Sequence, residues 1–312
     1  MSVSIAIDAG HGYTKALSAS TQTIFPSLIC PAPAAVDLGR FGPSDSVAVE
    51  TDQYPRIRYL VGDAARLRAV SLFSHDKASD PTTLALTWIA ASRLVGPGYH
   101  AITLGVGVPL AWYAEQQGTL ARILTQTVRL ENGHGTTLAV LDTTVFPQGV
   151  GALAAQADLP KKALVGLVDI GYRTVDFLLA ETDAYGLPRP IPDRSGTYAG
   201  GMHQAYLNLA QTIERETGTH WEPHELVDRD TISAHGRATS LVEPRRRAIA
   251  DLSRAIQTHL ATQWDGLIDR LDALYLAGGG AVALQSAHPW DGAQGLDDPQ
   301  WANARGFLGF LA

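Results

Sequence analysis

Ile5-Ala6-Ile7-Asp8-Ala9-Gly10-His11-Gly12-Tyr13-Thr14-Lys15-Ala16-Leu17 runs from an apolar strand through Asp-x-Gly and a polar turn into a second apolar strand. The same plan returns as Leu167-Val168-Asp169-Ile170-Gly171-Tyr172-Arg173-Thr174-Val175-Asp176-Phe177-Leu178. Each stretch predicts a β-hairpin whose tip is stripped of bulk. A Gly at the tip allows backbone geometry that is costly for other residues and lets successive N–H groups converge on an anion such as phosphate. The Asp before it suits Mg²⁺, held through the water molecules that this ion gives up reluctantly. Two such hairpins facing each other would grip a nucleoside triphosphate from both sides.

The rest of the composition sets the frame. With 312 residues, 46% of them apolar and 18% charged, the chain is long enough for two medium domains, each with its own core. No apolar run approaches the length that spans a bilayer, and the N-terminus enters a strand without a basic and apolar leader. The single Cys30 excludes an internal disulfide framework or a zinc site of several thiolates, and points to a reducing cytoplasm. A net charge of −7 argues against direct nucleic-acid binding, so a DNA partner would be reached through another protein.

Between the hairpins, Phe25-Pro26-Ser27-Leu28-Ile29 predicts a short strand, followed by a loop or excursion after Pro33. Residues 47–50 and 58–63 predict a strand pair, and Asp80-Pro81 a helix start, with Asp as N-cap and Pro at the first helical position. Strand patterns over 101–108 and 137–146 flank a helical pattern over 112–123, and Pro147-Gln148-Gly149-Val150-Gly151-Ala152 is a candidate link. The second half repeats the plan. Strands over 163–179 precede Gly200-Gly201, which opens a helix where free N–H groups favour phosphate. A long amphipathic helix begins at Glu243-Pro244 and carries Ile249, Leu252, Ile256, Leu260, Trp264, Leu267, Ile268 and Leu271 at near-helical spacing. The strand Leu274-Tyr275-Leu276-Ala277 then delivers Gly278-Gly279-Gly280, where backbone can approach adenine and ribose closely. Strands and helices alternating twice over predict an α/β fold.

The order of these segments resembles the actin-like ATPase superfamily, which also holds sugar kinases and seventy-kilodalton chaperones. Residues 8–15 match its phosphate 1 motif, 169–176 phosphate 2, 147–152 the first connecting segment and 274–281 the adenosine motif. Within the superfamily the chain looks most like ParM-type plasmid-segregation proteins, on Phe25-Pro26-Ser27, Tyr59-Leu60-Val61-Gly62-Asp63-Ala64, Gly107-Val108-Pro109-Leu110 and Ala302-Asn303-Ala304-Arg305-Gly306-Phe307. The resemblance implies two ribonuclease H-like α/β domains with a nucleotide cleft between them: residues 1–148, with a helix over 299–312 packing back, and residues 149–298.

It also implies roles. Asp8 and Asp169 would hold Mg²⁺ through water, and Lys15 would lie near the β- and γ-phosphates. Backbone at Gly10, His11, Gly12, Tyr13 and Thr14, and at Gly171, Tyr172, Arg173 and Thr174, would clasp the phosphates. Gln148 would orient the attacking water or, on the other reading, cap the following helix. Gly200, Gly201, Gly278, Gly279 and Gly280 complete the nucleotide site. Tyr172 departs from the family, which places another Gly there; its side chain would narrow the phosphate site or stack over it. Asp176 is open between a metal role and a hairpin role. The implied protein is a cytoplasmic ATPase (or GTPase) that assembles head to tail into filaments and moves plasmid DNA through an adaptor. The alternative is a pantothenate or sugar kinase of the same superfamily. One Cys cannot supply the zinc motif of many sugar kinases, and the pantothenate-type Gly-x-Asp-Arg is absent between the hairpins.

His220 and His224 have metal-ligand spacing, but Pro223 would break the helix that makes it useful. Arg245-Arg246-Arg247 reads as a solvated face or an interface patch.

Overall fold

Both Asp-x-Gly stretches fold as antiparallel hairpins in a computed structural model, which describes residues 2–33, 45–69, 74–156, 158–284, 290 and 292–311. The loop expected after Pro33 lies outside the described residues. The chain divides into two compact units, Met1–Ala155 with Asn303–Ala312, and Gln156–Ala302.

The first unit contains β1 (Val3–Ala9), β2 (Tyr13–Leu17), β3 (Gln22–Pro26), β4 (Ile29–Pro31), β5 (Ser46–Thr51), β6 (Ile57–Val61), α1 (Pro81–Val95), β7 (Gly98–Val108), α2 (Tyr113–Leu124), β8 (Thr127–Glu131), β9 (Gly135–Pro147) and α3 (Val150–Ala154). Among the described residues its sheet runs β3-β2-β1-β7-β9-β8-β5-β6-β4, with β1, β7 and β9 mutually parallel. Strands buried on both faces read as continuous apolar runs, as Ile5, Ala6 and Ile7 do, all fully buried. The Asp80 carboxylate accepts from the N–H groups of Thr82 and Thr83, so α1 starts where Asp-Pro predicts. Its Leu84, Trp88 and Ala91 join the core over the sheet.

The second unit contains β10 (Leu164–Ile170), β11 (Val175–Thr182), β12 (Pro188–Pro190), β13 (Gly196–Tyr198), α4 (Met202–Thr217), β14 (Thr231–Ala234), β15 (Arg237–Ser240), α5 (Val242–Trp264), β16 (Ala273–Ala277), α6 (Gly279–Leu284) and β17 (Gln294–Gly295). Its sheet runs β12-β11-β10-β16-β17, with β13 also on β11. An antiparallel hairpin whose first strand is flanked by a parallel neighbour is thus common to both units. The small hairpin β14-β15 has no counterpart in the sequence reading.

The long helix stops earlier than its periodicity suggests. Asp265 (φ 45°) and Gly266 (φ 76°) take left-handed backbone after Trp264, which ends α5. Leu267 and Ile268 follow in a separate single turn and, with Leu271, pack on the same core, so the spacing persisted although the helix did not.

The last helix, α7 (Ala302–Leu311), begins at the boundary between the units, and its residues from Asn303 onward belong to the first unit. Phe307 is fully buried and stacks on Phe146, ring centroids 5.2 Å apart. It fills space that Gly107 and Gly151 leave open, and Gly306 lets its own helix approach the Gly151 backbone. A Cβ at Gly107 would sit 2.5 Å from its ring, one at Gly151 2.9 Å, and one at Gly306 2.2 Å from the Gly151 carbonyl. Truncation with Phe307→Ala is expected to lower stability by about 3–5 kcal/mol through lost burial and the cavity left behind. Phe310→Ala, at a ring 57% exposed, should cost much less. Urea midpoints of the two variants check this ordering.

Candidate functional site

The register of the first hairpin sets Asp8 opposite Lys15. Facing residues of an antiparallel pair lie on the same side of the sheet, and here they close an ion pair with Lys15 Nζ 2.6 Å from Asp8 Oδ2. Both side chains are buried. Gln148, just past the end of β9, donates from Nε2 to the other Asp8 oxygen at 2.9 Å. Its own backbone N–H donates to the Val108 carbonyl at 2.8 Å. The next residue, Gly149 (φ 81°), gives its N–H to Asn303 Oδ1 at 2.8 Å, so α7 helps fix the turn that carries Gln148. Asp8, Lys15 and Gln148 therefore form one buried cluster.

The two tip glycines are required for a reason different from the one expected. Neither Gly10 nor Gly171 has positive φ. A Cβ at Gly10 would lie 2.9 Å from the Tyr13 carbonyl, and one at Gly171 2.9 Å from the Thr174 carbonyl. The hairpin tips exclude a side chain by close approach. Gly10 also lies within 4.0 Å of both Asp8 Oδ1 and Lys15 Nζ, measured from that Cβ position. Behind this tip, Ser27 Oγ donates to the Gly10 carbonyl at 2.5 Å and Ser27 N–H to the Gly12 carbonyl at 2.9 Å. Thr14 is fully buried with its hydroxyl 2.8 Å from that of Ser27. His11 meets the edge of Trp112, and Tyr13 opens β2 opposite Pro26.

In the second hairpin Asp169 faces Asp176, both buried. Thr197 Oγ1 donates to Asp176, which gives that carboxylate a partner on β13. The Gly171 N–H closes the turn onto the Thr174 carbonyl at 2.9 Å, so it belongs to the turn and not to the group of donors expected to clasp phosphate. Thr174 is buried beside it.

The start of α4 corrects the sequence reading more fully. The N–H groups of Gly201, Met202 and His203 donate to the carbonyls of Arg173, Gly171 and Tyr172, and those of Gly200 and Gln204 to the carbonyls of Tyr198 and Gly201. The helix start at Gly200-Gly201 is expected to leave its donors free for phosphate, but the hairpin takes up those of Gly201, Met202 and His203, and Tyr198 takes that of Gly200. Gly201 is small because a Cβ there would lie 2.5 Å from the Gly171 carbonyl, and Gly200 because one would strike the Tyr198 ring at 2.4 Å.

Two of the three consecutive glycines also answer to the protein. Gly278 (φ 81°) would place a Cβ 2.4 Å from Asp169 Oδ1, and Gly280 one 2.3 Å from Ile170 Cγ2. Only at Gly279 is the nearest neighbour, the Gln300 side chain, at an ordinary 3.7 Å. The glycine turn is thus fitted against the end of β10, in contact with Asp169.

Tyr172 packs on α4, where its ring meets His203 edge-on and lies 6.4 Å from Tyr206. Burial pushes its phenol up to about 12, with Arg173 opposing. Burial likewise lowers Arg173. His203 is pulled down to about 4 by burial first and then by Arg173 and His224, against Glu222. His220 lies exposed between Glu214 and Glu222, whose hydrogen bonds raise it. Its spacing partner His224 is buried in the turn Pro223–Glu225.

The chemistry of the first cluster suits a magnesium nucleotide. Asp8 supplies a hard oxygen donor, and Lys15 and the tip amides supply positive charge next to it. Asp169 offers a second buried carboxylate on the second unit. Among the described residues no three His, Cys, Asp or Glu side chains converge into a metal-binding group. Ser27, Asn303 and Thr197 are contributors that the sequence did not reveal as such. Ser27 and Asn303 fall inside quoted family phrases, but no spacing rule marks a hydroxyl or amide that reaches a distant backbone.

The family described as actin-like proteins, N-terminal domain, matches residues 6–151, and the archaeal actin homologue MreB-like family, C-terminal, matches residues 167–287. The chain belongs to the actin-like superfamily. Its fold is ParM-like. A non-polymerisable quadruple mutant of pCBH ParM has 22% identity and a TM-score of 0.86, covering 99% of each chain. ParM from a 15-stranded filament of Clostridium botulinum has 22% identity and a TM-score of 0.84, covering 99% of this chain and 98% of its own. An archaeal actin homologue in complex with ADP has 19% identity and a TM-score of 0.81, covering 98% of each chain. No curated protein matches the chain at the level of sequence. Among the described residues no helix of this actin-like chain is long and apolar enough to cross a membrane.

Removing one partner of a buried ion pair leaves the other charge uncompensated, so Lys15→Met or Asp8→Asn alone should each cost about 3–5 kcal/mol of stability. The double variant should recover a large part, and a double-mutant cycle on urea midpoints reads the difference. His203 binds its proton in the unfolded chain near the usual 6.5 but in the folded chain only near about 4. Stability is therefore complete above pH 6.5 and lost as pH falls toward 4, by about 1–2 kcal/mol after allowance for partial exposure. His203→Gln should flatten that part of the profile of urea midpoint against pH.

Proposed function

We propose that this actin-like chain is a nucleotide-driven, filament-forming ATPase, and the observation that carries the reading is the buried Asp8 carboxylate held between Lys15 and Gln148. On this reading both Asp-x-Gly hairpins would contribute to one nucleotide, and Asp8 and Asp169 would hold Mg²⁺ through water. Mg²⁺, when bound, neutralises charge on the phosphates. Lys15 neutralises charge on the β- and γ-phosphates, and backbone donors at Gly10, His11 and Gly12 of the first tip and at Tyr172, Arg173 and Thr174 of the second clasp them. Gly279, with van der Waals room beside it, is the glycine of its turn available to a flat base.

Gln148 orients the attacking water. With Nε2 committed to Asp8, its Oε1 is the atom that accepts a hydrogen bond from that water. A neutral amide positions water without taking its proton strongly, so hydrolysis is slow. Head-to-tail self-association is supported by likeness to a ParM described as a filament and to a ParM mutant described as non-polymerisable. Nucleotide binding is supported by likeness to an archaeal homologue complexed with ADP. On this reading hydrolysis promotes disassembly, and the cargo is plasmid DNA reached through an adaptor, consistent with the acidic net charge of −7.

The test is light scattering and pelleting of the purified chain with Mg²⁺-ATP or Mg²⁺-GTP, alongside phosphate release. Polymer that requires nucleotide and decays as phosphate appears is expected, with phosphate release at least tenfold lower in Asp169→Ala. Nucleotide consumed only when a small-molecule acceptor such as pantothenate or a hexose is supplied, with no polymer at any concentration, would overturn the filament reading in favour of a kinase.

A further inference from the structure

Lys77 is among the most deeply buried side chains of the first unit, 2% exposed, and no motif points to it. Its Nζ donates to the carbonyl of Ala9, the residue before Gly10, at 2.9 Å. The chain around it is fixed from two directions. The Lys77 N–H donates to Gln116 Oε1 at 3.1 Å, while Gln116 Nε2 donates to the His75 carbonyl at 2.7 Å. Asp76 accepts from the N–H groups of Ala78 and Ser79 at 3.1 and 3.2 Å, which closes the turn beyond. His75 packs on Trp112, ring centroids 4.4 Å apart, and Trp112 also meets the ring of His11 at the hairpin tip. A buried, immobilised ammonium group is an expensive feature.

Its consequence follows from the planarity of the peptide. No peptide bond is cis among the described residues, so the carbonyl of one residue and the N–H of the next point in opposite directions. Lys77 holds the Ala9 carbonyl and thereby turns the Gly10 N–H away from itself. Ser27 does the same one peptide further on, holding the Gly10 carbonyl and directing the His11 N–H the other way. We infer that Lys77, with Ser27, is a positioning residue that orients the amides of the first hairpin tip toward the phosphates of a nucleotide. The second hairpin gives independent support for the device. There the carbonyls of Gly171, Tyr172 and Arg173 are held by N–H groups at the start of α4, which orients the following amides of Tyr172, Arg173 and Thr174 in the same manner. The first tip has buried side chains where the second has a helix terminus.

This inference rests on the nucleotide reading above, and the experiment separates the two. The full chain, wild type and Lys77→Met, is assayed for steady-state hydrolysis and for equilibrium binding of Mg²⁺-ATP by calorimetry, with urea midpoints as the check on folding. Misplaced amides weaken substrate and transition state alike, so Lys77→Met is expected to raise KM and Kd tenfold or more with kcat changed less than threefold. A merely structural role would lower the active fraction, seen as a fall in kcat at unchanged KM, and that result overturns the inference, as does unchanged binding by a folded variant. If Lys77→Met does not fold, Ser27→Ala and Gln116→Ala carry the same test. Each loosens one holding contact without removing the buried charge, and each is expected to raise KM about threefold or more; unchanged KM in both overturns the inference. Failure of the wild-type chain to bind Mg²⁺-ATP or Mg²⁺-GTP would count instead against the nucleotide reading itself.

Discussion

A carboxylate out of water is tolerated only when its charge and its lone pairs are met, and Asp8 meets both conditions through residues distant in sequence. Lys15 reaches it because a two-stranded register places the pair opposite each other. Gln148 reaches it because β9 lies two strands from β1, with β7 between them. The last helix enters the same arrangement, since Asn303 holds the Gly149 N–H beside Gln148 and Phe307 occupies the space that Gly107 and Gly151 leave. Sheet order, connecting turn and terminal helix thus converge on one buried charge.

The glycines of this chain illustrate how a correct position can carry an incorrect reason. Asp-x-Gly at each hairpin, Gly200-Gly201 and the three glycines at 278–280 were all legible as places where side chains are excluded. What excludes them is mostly the protein. Gly10 and Gly171 face carbonyls three residues on, Gly201 faces the second hairpin, and Gly278 and Gly280 face the end of β10. Composition and spacing record that space is scarce without recording which partner takes it. Apolar periodicity has the same limit at the end of α5. Leu267, Ile268 and Leu271 keep their place in the core although Asp265 and Gly266 have ended the helix.

Local chemistry was read with better success than long-range polar contacts. The two hairpins, the Asp80 cap and the helix opening at Gly201 follow from neighbours within a few residues. Lys77 on Ala9, Ser27 on Gly10 and Asn303 on Gly149 each join a side chain to a backbone group far away in sequence. Such contacts leave no periodic trace, because a backbone carbonyl looks the same under any residue. They become visible only once the topology has brought the strands together.

Set side by side, the two hairpins solve one geometric problem with different means. In each, carbonyls at the tip are occupied from one side, and trans peptide geometry then fixes where the neighbouring amides point. In the second unit the donors are the first N–H groups of α4, which would otherwise lack intrahelical partners, so the helix start and the hairpin satisfy each other. Lys77 and Ser27 are the corresponding donors in the first, which explains why a lysine should be buried at the cost of its hydration. A helix terminus supplies fixed partial charge, whereas a lysine supplies a full charge on a flexible stem, whose backbone is held here by Gln116 and the Asp76 turn. The first tip therefore takes its geometry from buried side chains and one backbone N–H, that of Ser27, brought in from distant segments, and the second takes it from the backbone of a single helix start.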